Sequence, residues 1–258
     1  MKVLVTGASG FVGKSLCAEL LNQGHGVVAA VRSIGSVVKN AEIVTVGEID
    51  GATDWTDAFN GADVVIHLAA RVHVMKDTAL DPLTEFRKVN VEGTLNLAQQ
   101  AVKAGVKRFI FISSIKVNGE ATLSPSFSPV NVRGVSTAFS EVDIPNPQDA
   151  YGISKFEAEQ GLLLIAQQTG LEVVIIRPPL VYGAGVKANF ASMMRAVKRG
   201  IPLPLGAIHN KRSFVYVGNL VSFIIKCMDH PAAANEVFLV SDGHDLSTTE
   251  LLQACAIA

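Results

Sequence analysis

Tyr151 and Lys155, within "DAYGISKFEAEQ", set a phenol and an ammonium four residues apart. That spacing puts both groups on one face of a helix. There the ammonium can lower the phenol's proton affinity and hold a nucleotide ribose, so the pair suits proton transfer at an alcohol or ketone oxygen. Ser114, at the end of "KRFIFISS", adds a hydroxyl that can hold the same oxygen. Ser113 is the neighbouring alternative, and strand alternation sends the two serines to opposite faces. A YxxxK spacing alone is common by chance, so its meaning depends on what surrounds it.

At the N-terminus, "TGASGFVG" places Gly7, Gly10 and Gly13 in a GxxGxxG pattern between an apolar run and a helical stretch that Phe11 and Val12 open. Such a loop makes a tight turn, lets backbone approach a pyrophosphate, and aims helix N-terminal amides at negative charge. The end of the second apolar run selects the nucleotide. An NAD enzyme usually carries Asp or Glu there, hydrogen-bonded to the ribose hydroxyls. This chain has Arg32 and Ser33 instead, a guanidinium fork and a hydroxyl suited to a 2′-phosphate. NADP(H) is the expected cofactor, with NAD(H) as the alternative.

The elements that must position these residues follow from the hydrophobic pattern. "KVLVT", "GVVAAV", "EIVTV", "DVVIHLA", "KRFIFIS" and "EVVIIR" read as buried strands. Helices are expected at about 11–23, closed by Gly24, at about 80–103 and at about 151–169. This alternation predicts a doubly wound parallel α/β sheet of the Rossmann type. After Arg177 the pattern shortens. "RPPLVYGAG" is expected to be irregular because of its prolines. A helix near 188–199, "GIPLPLG", "RSFVYVGNL", a helix to about Met228 and "EVFLVSDG" follow. Residues 1–177 are read as the dinucleotide-binding unit and 178–258 as a small substrate lobe, whose late strand near 236–240 can return to the sheet. The polar Ser/Pro stretch before Asp149 is long enough to suggest a functional loop.

Composition bounds the rest. The 258 residues are 49% hydrophobic and 17% charged with net charge −1, which gives a core-rich chain without a nucleic-acid footprint. Cys17, Cys227 and Cys255 lie far apart, and the six histidines show no ligand spacing, so no metal site is expected. No apolar run approaches the ~20 residues of a membrane span. The N-terminus goes straight into a strand, so a cytoplasmic protein is expected.

With those residues on the page, the chain resembles the extended short-chain dehydrogenase/reductases of the nucleotide-sugar epimerase, dehydratase and reductase group. The resemblance rests on "TGASGFVG", "GEI", "HLAA", "VNVEGTLNL", "ISSIKVNG", "YGISK", "RPPLVYG" and "RSFVYVGNL", in that order from Met1 to about Ser247. "SSIKVNGE", "RPPLVYGAGVKANF" and "LPLG" look most like bacterial O-antigen sugar reductases and 4-epimerases. The resemblance implies that Ser114, Tyr151 and Lys155 are catalytic. It also implies that Glu48 and Ile49 frame the adenine, and that Leu68, Ala69 and Ala70 line the pyrophosphate and ribose. Asn90 would brace the site, and Pro178 and Pro179 would pass beside the nicotinamide. Asn189 and Arg212 are candidates for the diphosphate of a UDP-sugar substrate, against an N-terminal helix residue for Asn189 and a surface charge for Arg212; Tyr182 and Lys116 read equally as pocket residues or as packing and a solvated strand end. The expected reaction is reduction of a UDP-4-keto-6-deoxy-N-acetylhexosamine at C4. The alternatives are UDP-sugar 4-epimerisation and a non-catalytic dinucleotide-binding regulator. A homodimer is a family-based expectation. The Ser-to-Tyr separation is long for the group, and the chain stops at Ala258, where the group usually continues, so an incomplete substrate lobe is expected.

Overall fold

A computed structural model describes residues 1–33, 39–72, 81–122, 138–186, 194, 197–199 and 210–257. Its centre is a parallel sheet of seven strands in the order β3-β2-β1-β4-β5-β6-β9. They are β1 (Lys2–Thr6), β2 (Gly26–Val31), β3 (Glu42–Thr45), β4 (Val64–His67), β5 (Arg108–Ile112), β6 (Glu172–Arg177) and β9 (Val237–Leu239). Every pairing is parallel, as the near-continuous Val/Ile runs require of strands covered on both sides. The order and the doubly wound crossovers make this a Rossmann-type α/β fold.

Two apolar layers alternate strictly along the strands. Val3, Val5, Ile66, Ile110, Val174 and Ile176 face one layer with α1 (Phe11–Asn22) and α6 (Val217–Cys227). Leu4, Val65, Phe109, Phe111, Val173 and Ile175 face the other, with α4 (Gly93–Lys103) and α5 (Ala150–Thr169). Short α2 (Thr56–Phe59) and α3 (Pro82–Arg87) precede β4 and α4. Chain beyond residue 177 therefore supplies the seventh strand and one covering helix. Cys17 and Cys227 are buried free thiols in the first layer. No helix among the described residues is long and apolar enough to cross a membrane.

Three local expectations need correction. The stretch after Arg177 is not wholly irregular: Leu180–Tyr182 forms β7, paired in parallel with β8 (Phe214–Tyr216). The proline restriction ends at Pro179, so an extended strand can begin at the next residue. The helix expected at about 80–103 begins at Pro82, because Asp81 caps it by accepting from the Leu83 and Thr84 amides at 3.1 and 3.3 Å, and Pro82 sits where a missing N–H costs nothing. That helix is also interrupted by a π-turn at Lys88–Glu92. The helix expected near 188–199 and "GIPLPLG" fall largely outside the described residues. Helix α7 (Thr248–Ile257) closes the chain, with Cys255 beyond the described side chains.

Candidate active site

Parallel pairing brings the C-terminal ends of the strands to one edge, where open α/β sheets take ligands. The first feature there is the β1–α1 loop. Gly7 has φ +64°, and its carbonyl accepts from the Gly10 amide at 2.9 Å, closing a tight turn. A Cβ on Gly7 would lie 2.8 Å from the Ala69 amide nitrogen, so the loops after β1 and β4 touch. A Cβ on Gly13 would lie 2.2 Å from the Gly7 carbonyl oxygen, so only glycine lets α1 sit down on the loop. Helix α1 has no side-chain cap and no acid in its first turn, which leaves its N-terminal amides to an incoming anion. Phe11 and Val12 pack partly against the core from that turn.

A hydrogen-bonded chain beneath the loop fixes the contact. The Ala69 amide donates to Thr6 Oγ1 at 3.2 Å, Thr6 Oγ1 meets His67 Nδ1 at 2.7 Å, and His67 Nε2 meets Thr94 Oγ1 at 3.0 Å. Burial, and then the Lys155 ammonium, pull the His67 imidazole down to about 3, so it stays neutral. Nothing in the sequence marked His67 as part of this relay. Leu68, Ala69 and Ala70 are half-buried along the same edge.

Arg32 and Ser33 are exposed just past β2. Glu48 is exposed, and its carbonyl accepts from Thr53 Oγ1 at 2.9 Å. Ile49 is buried, and a Cβ on Gly93 would come within 2.6 Å of its Cγ2. Asn90 lies in the π-turn and is buried with all its groups engaged. Its Nδ2 donates to the Arg71 carbonyl at 3.0 Å and Ser154 Oγ at 2.9 Å, and its Oδ1 accepts from the Arg71 amide at 2.8 Å. Ser154 Oγ in turn donates to the Tyr151 carbonyl at 2.8 Å, which ties the π-turn to the first turn of α5.

Asp149 starts α5 by accepting from the Gly152 amide at 2.7 Å. Tyr151 and Lys155 follow in the first two turns of α5, and Ser114 stands two residues past the end of β5. The Ser114 hydroxyl lies close enough to the Tyr151 phenol to favour its ionised form, and the Tyr151 ring stands edge-on to Phe86 at 6.2 Å. Lys155 is buried; its Nζ donates to the Ile112 carbonyl at 2.8 Å and lies 4.3 Å above the Phe111 ring. Ser114 Oγ also accepts from the Lys116 amide at 3.2 Å, capping the short turn Ile115–Val117. Ser113 is buried and its hydroxyl finds no partner among the described residues.

Electrostatically, burial dominates both titrating members. It pushes the Tyr151 phenol up to about 12, against the Ser114 hydrogen bond, with Asp149 adding to the rise. It pulls the Lys155 ammonium down to about 7, against the pull of Glu159. Burial therefore keeps the Tyr151 phenol protonated at neutral pH.

Pro178 is buried and its carbonyl accepts from the Ile115 amide at 3.0 Å; Pro179 is half-buried beside it. Arg212 is exposed, with its backbone paired to Leu246 in an isolated antiparallel bridge. Tyr182 donates to Asp242 Oδ2 at 2.9 Å, and Lys116 Nζ bonds Glu120 and, at 3.0 Å, Asp149 Oδ2. Asn189 lies outside the described residues. Sequence reading missed the pair beneath Lys155, Glu159 with Arg177, although Glu159 stands one helical turn past Lys155. Among the described residues no group of three or more His, Cys, Asp or Glu is arranged to hold a metal.

The chain belongs to the NAD dependent epimerase/dehydratase family, whose model matches residues 3–241. It is 52% identical over 259 residues to a UDP-glucose 4-epimerase of Vibrio cholerae, covering 99% of this chain and 75% of that protein. It is 30% identical over 275 residues to a 3-beta-hydroxysteroid dehydrogenase of Mycolicibacterium neoaurum, covering 100% of this chain and 70% of that protein. The fold matches MoeE5 in complex with UDP-glucuronic acid and NAD with a TM-score of 0.82 at 29% identity, covering all of this chain and 82% of that one.

Proposed function

We propose that this chain is an NAD-dependent UDP-sugar 4-epimerase. The observation that carries the reading is the Ser114–Tyr151 hydroxyl pair, set beside buried Lys155 on the same sheet edge as the Gly7–Gly13 cradle. The 52% identity to a UDP-glucose 4-epimerase supports epimerisation over the reduction expected first.

The cradle fits a dinucleotide: any side chain at Gly7 or Gly13 would fill the space of close backbone approach. Gly7, Gly10 and Gly13 with the first turn of α1 would hold the pyrophosphate. Glu48 and Ile49 would flank the adenine, and Leu68, Ala69 and Ala70 the ribose and phosphates. Lys155 would hold the second ribose, and Pro178 and Pro179 the nicotinamide side. Bound there, NAD supplies a reversible hydride acceptor for the C4 carbon of the sugar. The chain's own part is the oxygen at that carbon. Ser114 would hold it by hydrogen bond. With the positive charges of oxidised nicotinamide and of Lys155 offsetting the burial that keeps the phenol protonated, Tyr151 as phenolate would take the alcohol's proton on oxidation and return it on reduction. Between the two half-reactions the keto sugar turns over, so the proton comes back to a sugar of inverted C4. Arg212 is proposed for the diphosphate, through its guanidinium fork.

A second reading, reduction of a UDP-4-keto-6-deoxy-N-acetylhexosamine with NADPH, is favoured by Arg32 in place of an acidic residue after β2. One experiment separates the two. Protein incubated with UDP-glucose is followed by proton NMR without added cofactor. UDP-galactose formed at constant total nucleotide sugar supports the epimerase. No conversion, together with stoichiometric NADPH consumption on the 4-keto sugar, overturns it.

A further inference from the structure

Below Lys155 lies a buried charged network that the proposed reaction does not use. Arg177, the last residue of β6, donates to Glu159 of α5 through Nε to Oε1 at 3.0 Å and through Nη2 to Oε2 at 2.5 Å. The two side chains are 5% and 2% exposed, so this bidentate pair is shut away from water. A buried pair of this kind is held in place only if its remaining donors are met. Asn118 meets one of them: its Oδ1 accepts from Arg177 Nη1 at 3.0 Å.

The other half of the Asn118 amide faces a different part of the chain. Its Nδ2 donates to the Ser140 carbonyl at 3.1 Å. Ser140 belongs to the 138–147 segment, which is also pinned where the Asn146 amide donates to the Val117 carbonyl at 3.0 Å. Val142 and Ile144 in that segment are 83% and 88% exposed, so polar contacts rather than apolar burial seat it. Asn118 itself is buried. One amide therefore bridges a lightly packed surface segment and a buried ion pair.

One member of the ion pair acts on the site's ammonium. Glu159 follows Lys155 by one turn on α5, and its carboxylate favours the charged amine against burial. The other groups acting on this space are Tyr151 from the same helix, His67 from β4, and Arg177 from β6. Of these only Glu159 is an anion, and both of its carboxylate oxygens accept from Arg177.

We propose that Asn118 is a positioning residue: it joins the 138–147 segment to the Glu159–Arg177 pair, so that the charge acting on Lys155 depends on how that segment is seated. The proposal rests on the reading of Lys155 as the group that holds the ribose beside Tyr151. Seating the segment keeps Asn118 on Arg177 and Arg177 on Glu159. Releasing it frees Arg177 to shift and changes the field at the ammonium.

The test reads Lys155 directly and needs no turnover. Full-length protein carrying lysine labelled with carbon-13 at Cε is titrated by NMR, with the Lys155 signal assigned by its loss in Lys155→Met. Asn118→Asp keeps an acceptor for Arg177 and adds a negative charge, so the Lys155 midpoint should rise about tenfold in proton affinity, one pH unit. Asn118→Leu removes both bonds. Amide exchange at residues 140–146 should then accelerate about tenfold, and the Lys155 signal should move. Glu159→Gln should lower the midpoint; if that variant does not fold, the two Asn118 variants decide. A Lys155 titration identical to wild type in folded Asn118→Asp and Asn118→Leu overturns the proposal. Faster exchange in the segment with an unmoved Lys155 signal overturns it too. A wild-type protein that leaves UDP-glucose unconverted would count against the epimerase reading alone, because the titration stands apart from it.

Discussion

The Lys155 ammonium nitrogen donates to the carbonyl oxygen of Ile112 at 2.8 Å, so the middle of helix α5's first two turns is tied to the last residue of strand β5. Two residues beyond Ile112 stands Ser114, and one turn before Lys155 stands Tyr151. The bond therefore helps to set where the Ser114 and Tyr151 hydroxyls stand at the sheet edge. It adds a polar tie between a helix and a strand that also share an apolar layer.

Tyr151→Phe keeps the ring against Phe86 and removes only the hydroxyl. On the proposed mechanism, interconversion of UDP-glucose and UDP-galactose should fall by about 10²- to 10⁴-fold. Affinity for NAD, read by fluorescence quenching, should change little. Turnover at the wild-type rate would remove Tyr151 from the chemistry.

Gly13→Ala should damage the cradle without touching those hydroxyls. The added methyl would overlap the Gly7 carbonyl, forcing α1 back at a cost of about 1–3 kcal/mol. Calorimetric titration should show NAD binding weakened by at least about tenfold. Unaltered affinity would mean that the cofactor is held elsewhere.

Arg32→Ala addresses cofactor choice. The guanidinium past β2 is the group suited to a 2′-phosphate, so the variant should lose affinity for NADP by about tenfold or more while keeping NAD. Equal losses for both cofactors would deny Arg32 a selective part.

Stability should depend on pH through His67. Its imidazole titrates near pH 6.5 in an unfolded chain and at about 3 in the fold. Below pH 6.5 the unfolded chain binds a proton that the folded one refuses, so the His67 contribution is complete above that pH and declines as pH falls toward 3. The slope is about 1.4 kcal/mol per pH unit. Urea unfolding of wild type and His67→Asn at pH 7 and pH 4.5 should show a steeper acid loss in the wild type. Parallel losses in the two proteins would contradict a neutral buried imidazole. Lys155 acts in the same direction at higher pH, with stability rising from about pH 7, where it titrates in the fold, to about 10.4, where it titrates unfolded.

Much of the fold was legible because parallel strands buried on both faces must be apolar along their length. "GVVAAV" and "EVVIIR" could hardly be read otherwise. The glycine loop and the Tyr151 helix were legible because their spacing is local. What stayed hidden is what distant residues make together. His67 and Thr6 are 61 positions apart, and Arg177 and Glu159 meet only when β6 lies along α5. The pairing of β7 with β8 was hidden by the two prolines just before it. The π-turn at Lys88–Glu92 (KVNVE) carries no glycine or proline to mark it in the sequence.

That π-turn makes the stretch from Pro82 to Lys103 two helical pieces with their faces out of phase. The first piece sends Phe86 to the Tyr151 ring, and the second presses Gly93 onto Ile49. A deletion of one residue within 88–92 would restore a continuous helix and leave one of those two walls facing the wrong way. The extra residue is thus a phase adjuster, and it cannot be bred out by substitution, only by rebuilding one end of the cleft.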